Sequence, residues 1–245
     1  VIEKMANIAV IFAGGVGSRM ASTAVPKQFL EIYGRPVIVH TLELFQNHDE
    51  IDGIIVAILP EFHEYFERIV KKYELDKVVK VVDGGATGQG SRHNALRAAA
   101  ELYPEDSVVL IHDGVRPLID ADLISANIRG VHANGSAITC TKMTETVVEG
   151  SVEGGITDVV PREKLWTAQA PQSFVLKQVL GVYDQAVADG EEDSIDTCTL
   201  MRQYGHEISR VEGPRTNIKI TTASDYYICR TFFTLNEDKA AFGGE

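Results

Sequence analysis

Cysteine is sparse in this chain: Cys140, Cys198 and Cys229 are the only three in 245 residues, far apart and with no CxxC pair. That excludes a disulfide framework, and it fits a reducing cytoplasm in which each thiol packs as a small hydrophobe. Positive charge is also short, with 23 Lys and Arg against 35 Asp and Glu, a formal net charge of -12. A surface that acidic repels nucleic-acid phosphates and anionic lipid, so neither is an expected partner. Long apolar runs are missing; the densest, at 54–59, has six residues, far below the roughly 20 of a bilayer-spanning helix. The opening VIEKMANIAVIF leads into a strand-like segment without the apolar core and cleavage site of a signal peptide. The seven histidines show no HxxxH or HxH spacing, which argues against a zinc site. A GxSxG nucleophile elbow and a GxxxxGK[ST] loop are absent as well.

What is present is an ordinary globular composition, 44% hydrophobic and 24% charged, which excludes disorder over most of the length. Short apolar β-branched runs at 8–12, 54–59, 78–82, 108–112 and 137–141 alternate with amphipathic stretches at 36–46, 61–73, 90–103 and 120–132. Strands of that kind separated by helices predict an α/β fold, a mostly parallel sheet covered on both faces. Residues 144–165, TETVVEGSVEGGITDVVPREKL, break the alternation: three glycines separate two β-prone pieces, which predicts a protruding β-hairpin. Helices are expected at 176–188, at 195–204 and from Ser224, with a strand at 208–212 and a flexible tail over 236–245. Without a linker or a repeat, one domain over 5–235 is the expectation.

In an open α/β sheet, ligands bind beyond the carboxyl ends of the strands, so the loops there carry the chemistry. AGGVGSRM, 13–20, follows the first strand; its glycines let backbone N–H groups approach phosphate oxygens, and Arg19 and Lys27 (of Pro26-Lys27-Gln28) add two cations. Met20 stands where a dinucleotide fingerprint needs its third glycine. A tight turn with two solvated charges is the competing reading. DGGATGQGSRHNAL, 83–96, sets four glycines between a strand and a helix start; it suits a flat base, or simply a turn followed by an N-cap. IHDGVRP, 111–117, delivers Asp113 and Arg116 onto a turn, as ribose, Mg²⁺ or phosphate contacts or as a structural ion pair. TNIKITT, 216–222, places Lys219 on an expected short strand.

Together with PKQFLEIYGRPVIVHTLELF, LWTAQAPQSF and VEGPRTNIKITT, these loops, in this order, resemble the cytidylyltransferases that act on polyol phosphates. The similarity spans 7–233 through six ordered motifs. It implies a Rossmann-like nucleotidyltransferase fold, a homodimer formed through the β-arm at 144–165, and Mg²⁺-dependent transfer of CMP from CTP with release of pyrophosphate. It implies that Arg19 and Lys27 stabilise the transition state, and that Phe12, Ala13, Gly14, Gly15 and Gly17, with Gly84, Gly85, Ala86 and Ser91, hold the triphosphate and cytosine. Asp113 and Gly114 would lie at the ribose, Asp113 being the candidate metal ligand, and Arg116, Thr146, Arg162 and Lys219 would position the polyol phosphate. Arg162, on the arm, would serve the partner subunit's site.

Three departures bear on the acceptor. Ala170 and Ile195 stand where many members carry threonine, and HDGVRP resembles the D-ribitol 5-phosphate branch more than the HDAARP-like form of the 2-C-methyl-D-erythritol 4-phosphate branch. The expected acceptor is D-ribitol 5-phosphate, with 2-C-methyl-D-erythritol 4-phosphate the alternative.

Overall fold

The computed structural model describes residues 5–13 and 25–242. Strand β1 (Asn7–Ala13) shows why the sheet is covered on both faces. Its alternate residues Ala9, Ile11 and Ala13 point into one apolar cluster, while Ile8 and Val10 point into another. On the first face α1 (Val37–Gln46), α2 (His63–Lys72) and α4 (Ala121–Asn134) bring Leu42, Phe45, Phe66, Ile69, Leu123 and Ile128. On the second, α3 (Gly88–Leu102), α5 (Leu176–Ala188) and α6 (Thr197–Gln203) bring Leu96, Ala99, Val179, Tyr183 and Leu200. Phe45, Phe66 and Tyr183 are fully buried, and such a side chain contributes roughly 1.5–3 kcal/mol relative to exposure. A third, smaller cluster joins Ile32, Val37, Val115 and Ile220 to Cys229 of α7 (Ala223–Phe242). That helix continues through Phe242, where the sequence predicts a flexible tail from residue 236.

Two minimal strands, β2 (Glu31–Ile32) and β3 (Arg35–Pro36), precede α1. The main sheet adds β4 (Gly53–Ile58), β5 (Val78–Asp83), β6 (Val108–Asp113), β7 (Ser136–Lys142), β10 (Trp166–Val175) and β11 (Arg210–Glu212) to β1. Its order is β11-β7-β10-β6-β1-β4-β5. The pairs β1/β4, β1/β6, β4/β5 and β7/β11 are parallel, while β10 runs antiparallel between β6 and β7. The chain therefore leaves β1 for β4 and β5 on one side and returns to β6 on the other. That reversal of direction opens a crevice beyond the carboxyl ends of β1 and β6.

Strand β10 does not stand out in the sequence, since WTAQAPQSFV carries Pro171 and two glutamines and a proline argues against an inner strand. The pairing with β7 shifts register between Ala168 and Gln172, which accommodates Pro171. The predicted hairpin forms as a separate antiparallel ribbon, β8 (Val147–Gly150) with β9 (Ile156–Val160). Helix α6 starts later than expected, at Thr197, because the Asp196 side chain accepts from the Thr199 N–H and caps it.

Candidate active site

Two cavities adjoin at the crevice, of about 300 and 200 Å³. They share a wall made by Phe12, Arg92, Asp113, Ile195 and Lys219. The larger is lined mainly by backbone and small side chains, among them Ala13, Gly85, Ala86 and Ser91, with Lys27 as its further cation. Lys27 begins a short 3-10 turn, Lys27–Phe29, and Gln28 ties that turn to β1 by donating Nε2 to the Ala13 carbonyl at 2.7 Å. Gly85 passes so close to the start of α3 that a Cβ there would lie 2.6 Å from the Gly90 carbonyl carbon; only glycine fits. Thr87 caps α3 by accepting from the Gly90 N–H at 3.0 Å, and Ser91 Oγ accepts from the Gly85 N–H at 3.1 Å while donating to the Thr87 carbonyl. The turn-plus-cap reading of this loop is thus correct as far as it goes, and the same hydrogen bonds shape the cavity wall.

The smaller cavity is built from side chains that four separate segments contribute. Asp113, at the end of β6, is 6% exposed and is clamped by two cations. Arg116 Nε donates to Oδ2 at 2.8 Å, and Lys219 Nζ lies 2.5 Å from Oδ1. Burial opposes ionisation of Asp113, but Lys219 and Arg116 outweigh it and hold the carboxyl well below the usual carboxylate range. Arg116 also donates to the Asn217 carbonyl at 2.7 Å, and Asn217 in turn donates to the Ala170 carbonyl at 2.7 Å. Lys219 is therefore not on a strand as expected. It sits in irregular chain, fixed where the Ile220 N–H donates to the Val115 carbonyl at 3.0 Å. On the opposite wall the buried Gln172 donates to Asp196 Oδ2 and accepts from the Cys198 N–H, each at 2.9 Å.

Behind the clamp, His112 is fully buried against Phe45. Burial pushes it down to about 4, opposed by its hydrogen bond to the Arg116 carbonyl and by the Asp113 charge. It is neutral at pH 7, donates Nε2–H to that carbonyl at 3.0 Å, and holds the turn that aims Arg116.

The structure places most of the predicted residues on this crevice. Phe12, Ala13, Lys27, Gly85, Ala86, Ser91, Asp113, Arg116 and Lys219 line one or both cavities. Gly114 packs behind them: its N–H donates to the Phe12 carbonyl at 3.1 Å, and a Cβ would press on Ala13 Cβ at 3.2 Å. Gly84 instead donates back to the Ile58 carbonyl at 2.7 Å and lines neither cavity. Thr146 and Arg162 are exposed at the base of the arm, Arg162 donating to the Thr144 carbonyl at 2.9 Å, and neither reaches a cavity of its own chain. Gly14, Gly15, Gly17 and Arg19 lie outside the described residues.

Three residues on the cavity walls escape a sequence reading. Arg92 is one helical residue among small neighbours and reads as surface; Gln172 and Asp196 meet only because β10 and α6 pack together. Among the described residues no group of three or more His, Cys, Asp or Glu side chains could cage a metal ion. Asp113 is the one carboxylate on the shared wall, with Asp196 on the smaller cavity alone.

Comparison with known proteins shows the family of the chain. The family model of IspD, 2-C-methyl-D-erythritol 4-phosphate cytidylyltransferase, matches residues 7–235. A ribitol-5-phosphate cytidylyltransferase of Streptococcus agalactiae serotype V is 46% identical over 239 residues, covering 98% of this chain and all of that protein. A 2-C-methyl-D-erythritol 4-phosphate cytidylyltransferase of Clostridium novyi is 36% identical, over 89% of this chain and 93% of its own. Among solved structures, the 4-diphosphocytidyl-2C-methyl-D-erythritol synthase of Anaerococcus prevotii superposes with a TM-score of 0.80 at 28% identity, covering 94% of this chain and 96% of that one. With a glycine-walled cavity joined to an ion-clamped one at the carboxyl ends of β1 and β6, the chain belongs to the IspD family of cytidylyltransferases.

Proposed function

We propose that this enzyme transfers CMP from CTP to D-ribitol 5-phosphate, giving CDP-ribitol and pyrophosphate. The observation that carries the proposal is the pair of adjoining cavities with a shared cationic wall. A phosphate oxygen of the acceptor attacks the α-phosphorus of CTP. The bond from that phosphorus to its bridging oxygen breaks, and the electron pair leaves with pyrophosphate. Both reactants are anions, so their approach has a Coulomb cost that fixed cations must offset. Little covalent participation is required of the protein, and positioning with charge stabilisation dominates.

In this reading the larger cavity takes CTP: Gly85, Ala86 and Ser91 meet the base, Lys27 and Arg19 the phosphates, and Asp113 and Gly114 lie at the ribose. The smaller takes the polyol phosphate on Arg116 and Lys219. The donor set fits Mg²⁺ as an ion held mostly by substrate phosphates, since that cation commonly uses one or two carboxylates besides phosphate and water. Asp113 would be the carboxylate to hold it, giving up its contact with Lys219 or Arg116 to do so, and the ion when bound would neutralise charge on the triphosphate. The acceptor follows the closer resemblance, at 46% identity to a ribitol-5-phosphate enzyme against 36% to a methylerythritol-phosphate one.

One domain over 5–235 carries both cavities, and the arm joins two chains. Val148 and Val159 face each other across the ribbon and, with Ile156, are 44%, 55% and 69% exposed, an apolar surface that a second copy would cover. Thr146 and Arg162 would then complete the acceptor pocket of the partner subunit. The deciding experiment is pyrophosphate release with CTP and Mg²⁺, comparing the two polyol phosphates. Turnover with D-ribitol 5-phosphate is expected; turnover with 2-C-methyl-D-erythritol 4-phosphate alone would reassign the acceptor.

A further inference from the structure

Arg92 is the most deeply buried cation of the crevice, 4% exposed, and it lines both cavities. Its side chain is held by neutral groups alone. Nε donates to Tyr183 Oη at 2.8 Å and Nη2 donates to the Ser194 carbonyl at 3.0 Å, while the guanidinium lies 5.3 Å from the centre of the Phe12 ring. Among the described residues no carboxylate forms an ion pair with it. A buried charge without a counter-charge is costly, and two of the five guanidinium N–H donors account for every hydrogen bond it makes among the described residues. This is a rigid fork, aimed by Tyr183 and Ser194, with donors left over and its charge unanswered.

The charge balance of the smaller cavity indicates what answers it. Arg92, Arg116 and Lys219 face two carboxylates, Asp113 and Asp196. Arg116 and Lys219 are both drawn onto Asp113. Without Arg92 that cavity would be neutral overall, a poor host for a phosphate monoester; the larger cavity has Lys27 in addition and Asp113 as its one acid. Resting on the reaction proposed above, we infer that Arg92 binds the phosphate of the incoming polyol phosphate, so that the acceptor supplies the counter-ion the fold withholds. Planar, bidentate recognition of a phosphate is what a guanidinium does best.

The test separates the two substrates. In Arg92→Met, KM for D-ribitol 5-phosphate should rise about 10- to 100-fold, the loss expected for a charge-assisted contact, with KM for CTP within about twofold. Thermal melting gives a readout free of turnover. Inorganic phosphate and D-ribitol 5-phosphate should each raise the midpoint of the unsubstituted enzyme but not of Arg92→Met, whereas CTP should stabilise both. A loss falling on CTP, or an unchanged KM for the acceptor with its stabilisation retained, overturns the inference. If Arg92→Met does not fold, Tyr183→Phe, which removes the acceptor of Nε, is measured in the same way; an unchanged KM for the acceptor again overturns it. An unsubstituted enzyme that turns over neither polyol phosphate would defeat the reaction, while the phosphate-induced shift and its loss in the variant would still decide the role of Arg92.

Discussion

The two cavities are built by different means. The larger is a backbone site: Gly85 against Gly90, Ser91 and Thr87 locking the turn, Gln28 pinning the loop that carries Lys27. Eight of the residues that line it come from two short stretches, 27–28 and 85–92. The smaller is a side-chain site: Arg116 and Lys219 clamp Asp113 on one wall, and Gln172 holds Asp196 on the other. A backbone site tolerates little change in shape but offers few handles for changing specificity. A side-chain site can be retuned one residue at a time, which would suit the half of the crevice proposed to choose an acceptor.

The sharpest way to break this contrast is Lys27→Ala. Loss of one transition-state cation should lower turnover about 10² to 10³-fold with the melting temperature near that of the unsubstituted enzyme; near-normal turnover would remove Lys27 from the reaction centre. Acid should next single out His112, behind the clamp on Asp113. His112 is neutral when folded and its value falls to about 4 on burial, against about 6.5 in the unfolded chain. The unfolded state then binds more protons between those values, so stability is full above pH 6.5 and declines as the pH falls toward 4, by roughly 3 kcal/mol in all. Asp113, held below the usual range by Lys219 and Arg116, stays ionised in the folded state, while its unfolded carboxyl begins to bind protons below about pH 5, so it adds a loss of the same sign at the acid end of the window. Urea unfolding at pH 7.5 and pH 4.5 measures the difference, and an equal stability at both would contradict the buried neutral histidine.

Smaller effects should fall on the glycine wall of the larger cavity and on the exposed part of the shared wall. Gly85→Ala forces a Cβ onto the Gly90 backbone and should cost about 1–3 kcal/mol of stability, with KM raised for CTP and not for the acceptor. Ile195→Thr returns a hydroxyl to a wall residue that is 87% exposed. One neutral hydrogen bond is about 0.5–1.5 kcal/mol, so preference should move toward 2-C-methyl-D-erythritol 4-phosphate by about 3- to 10-fold, read as a ratio of kcat/KM values.

Legibility follows the same division. Strand β1 and helix α5 are plain in the sequence because their apolar periods match their burial, and the glycine loop at 83–91 announces itself through composition. Strand β10 is hidden because Pro171 and flanking glutamines resemble a break, and only pairing with β6 and β7 on both sides makes it a strand. Asp113 and Arg116 are three residues apart, so their pairing could be weighed in advance; Lys219 lies more than a hundred residues further on, and nothing local indicates that it meets the same carboxylate.

The sequence by itself determined the α/β class and the hairpin arm, which depend on local period and glycine content, and the resemblance carried by its ordered loops pointed to Phe12, Ala13, Lys27, Gly85, Ala86 and Ser91, which line the larger cavity. Only the tertiary structure decided that Asp113 is spent on two cations, that Gln172 and Asp196 form one wall, and that Arg92 is buried without a counter-charge. Those properties belong to segments brought together by the packing of α3, α5 and α6 on the sheet. Whether a charge is buried and answered depends on which distant residues surround it, and no local pattern carries that information.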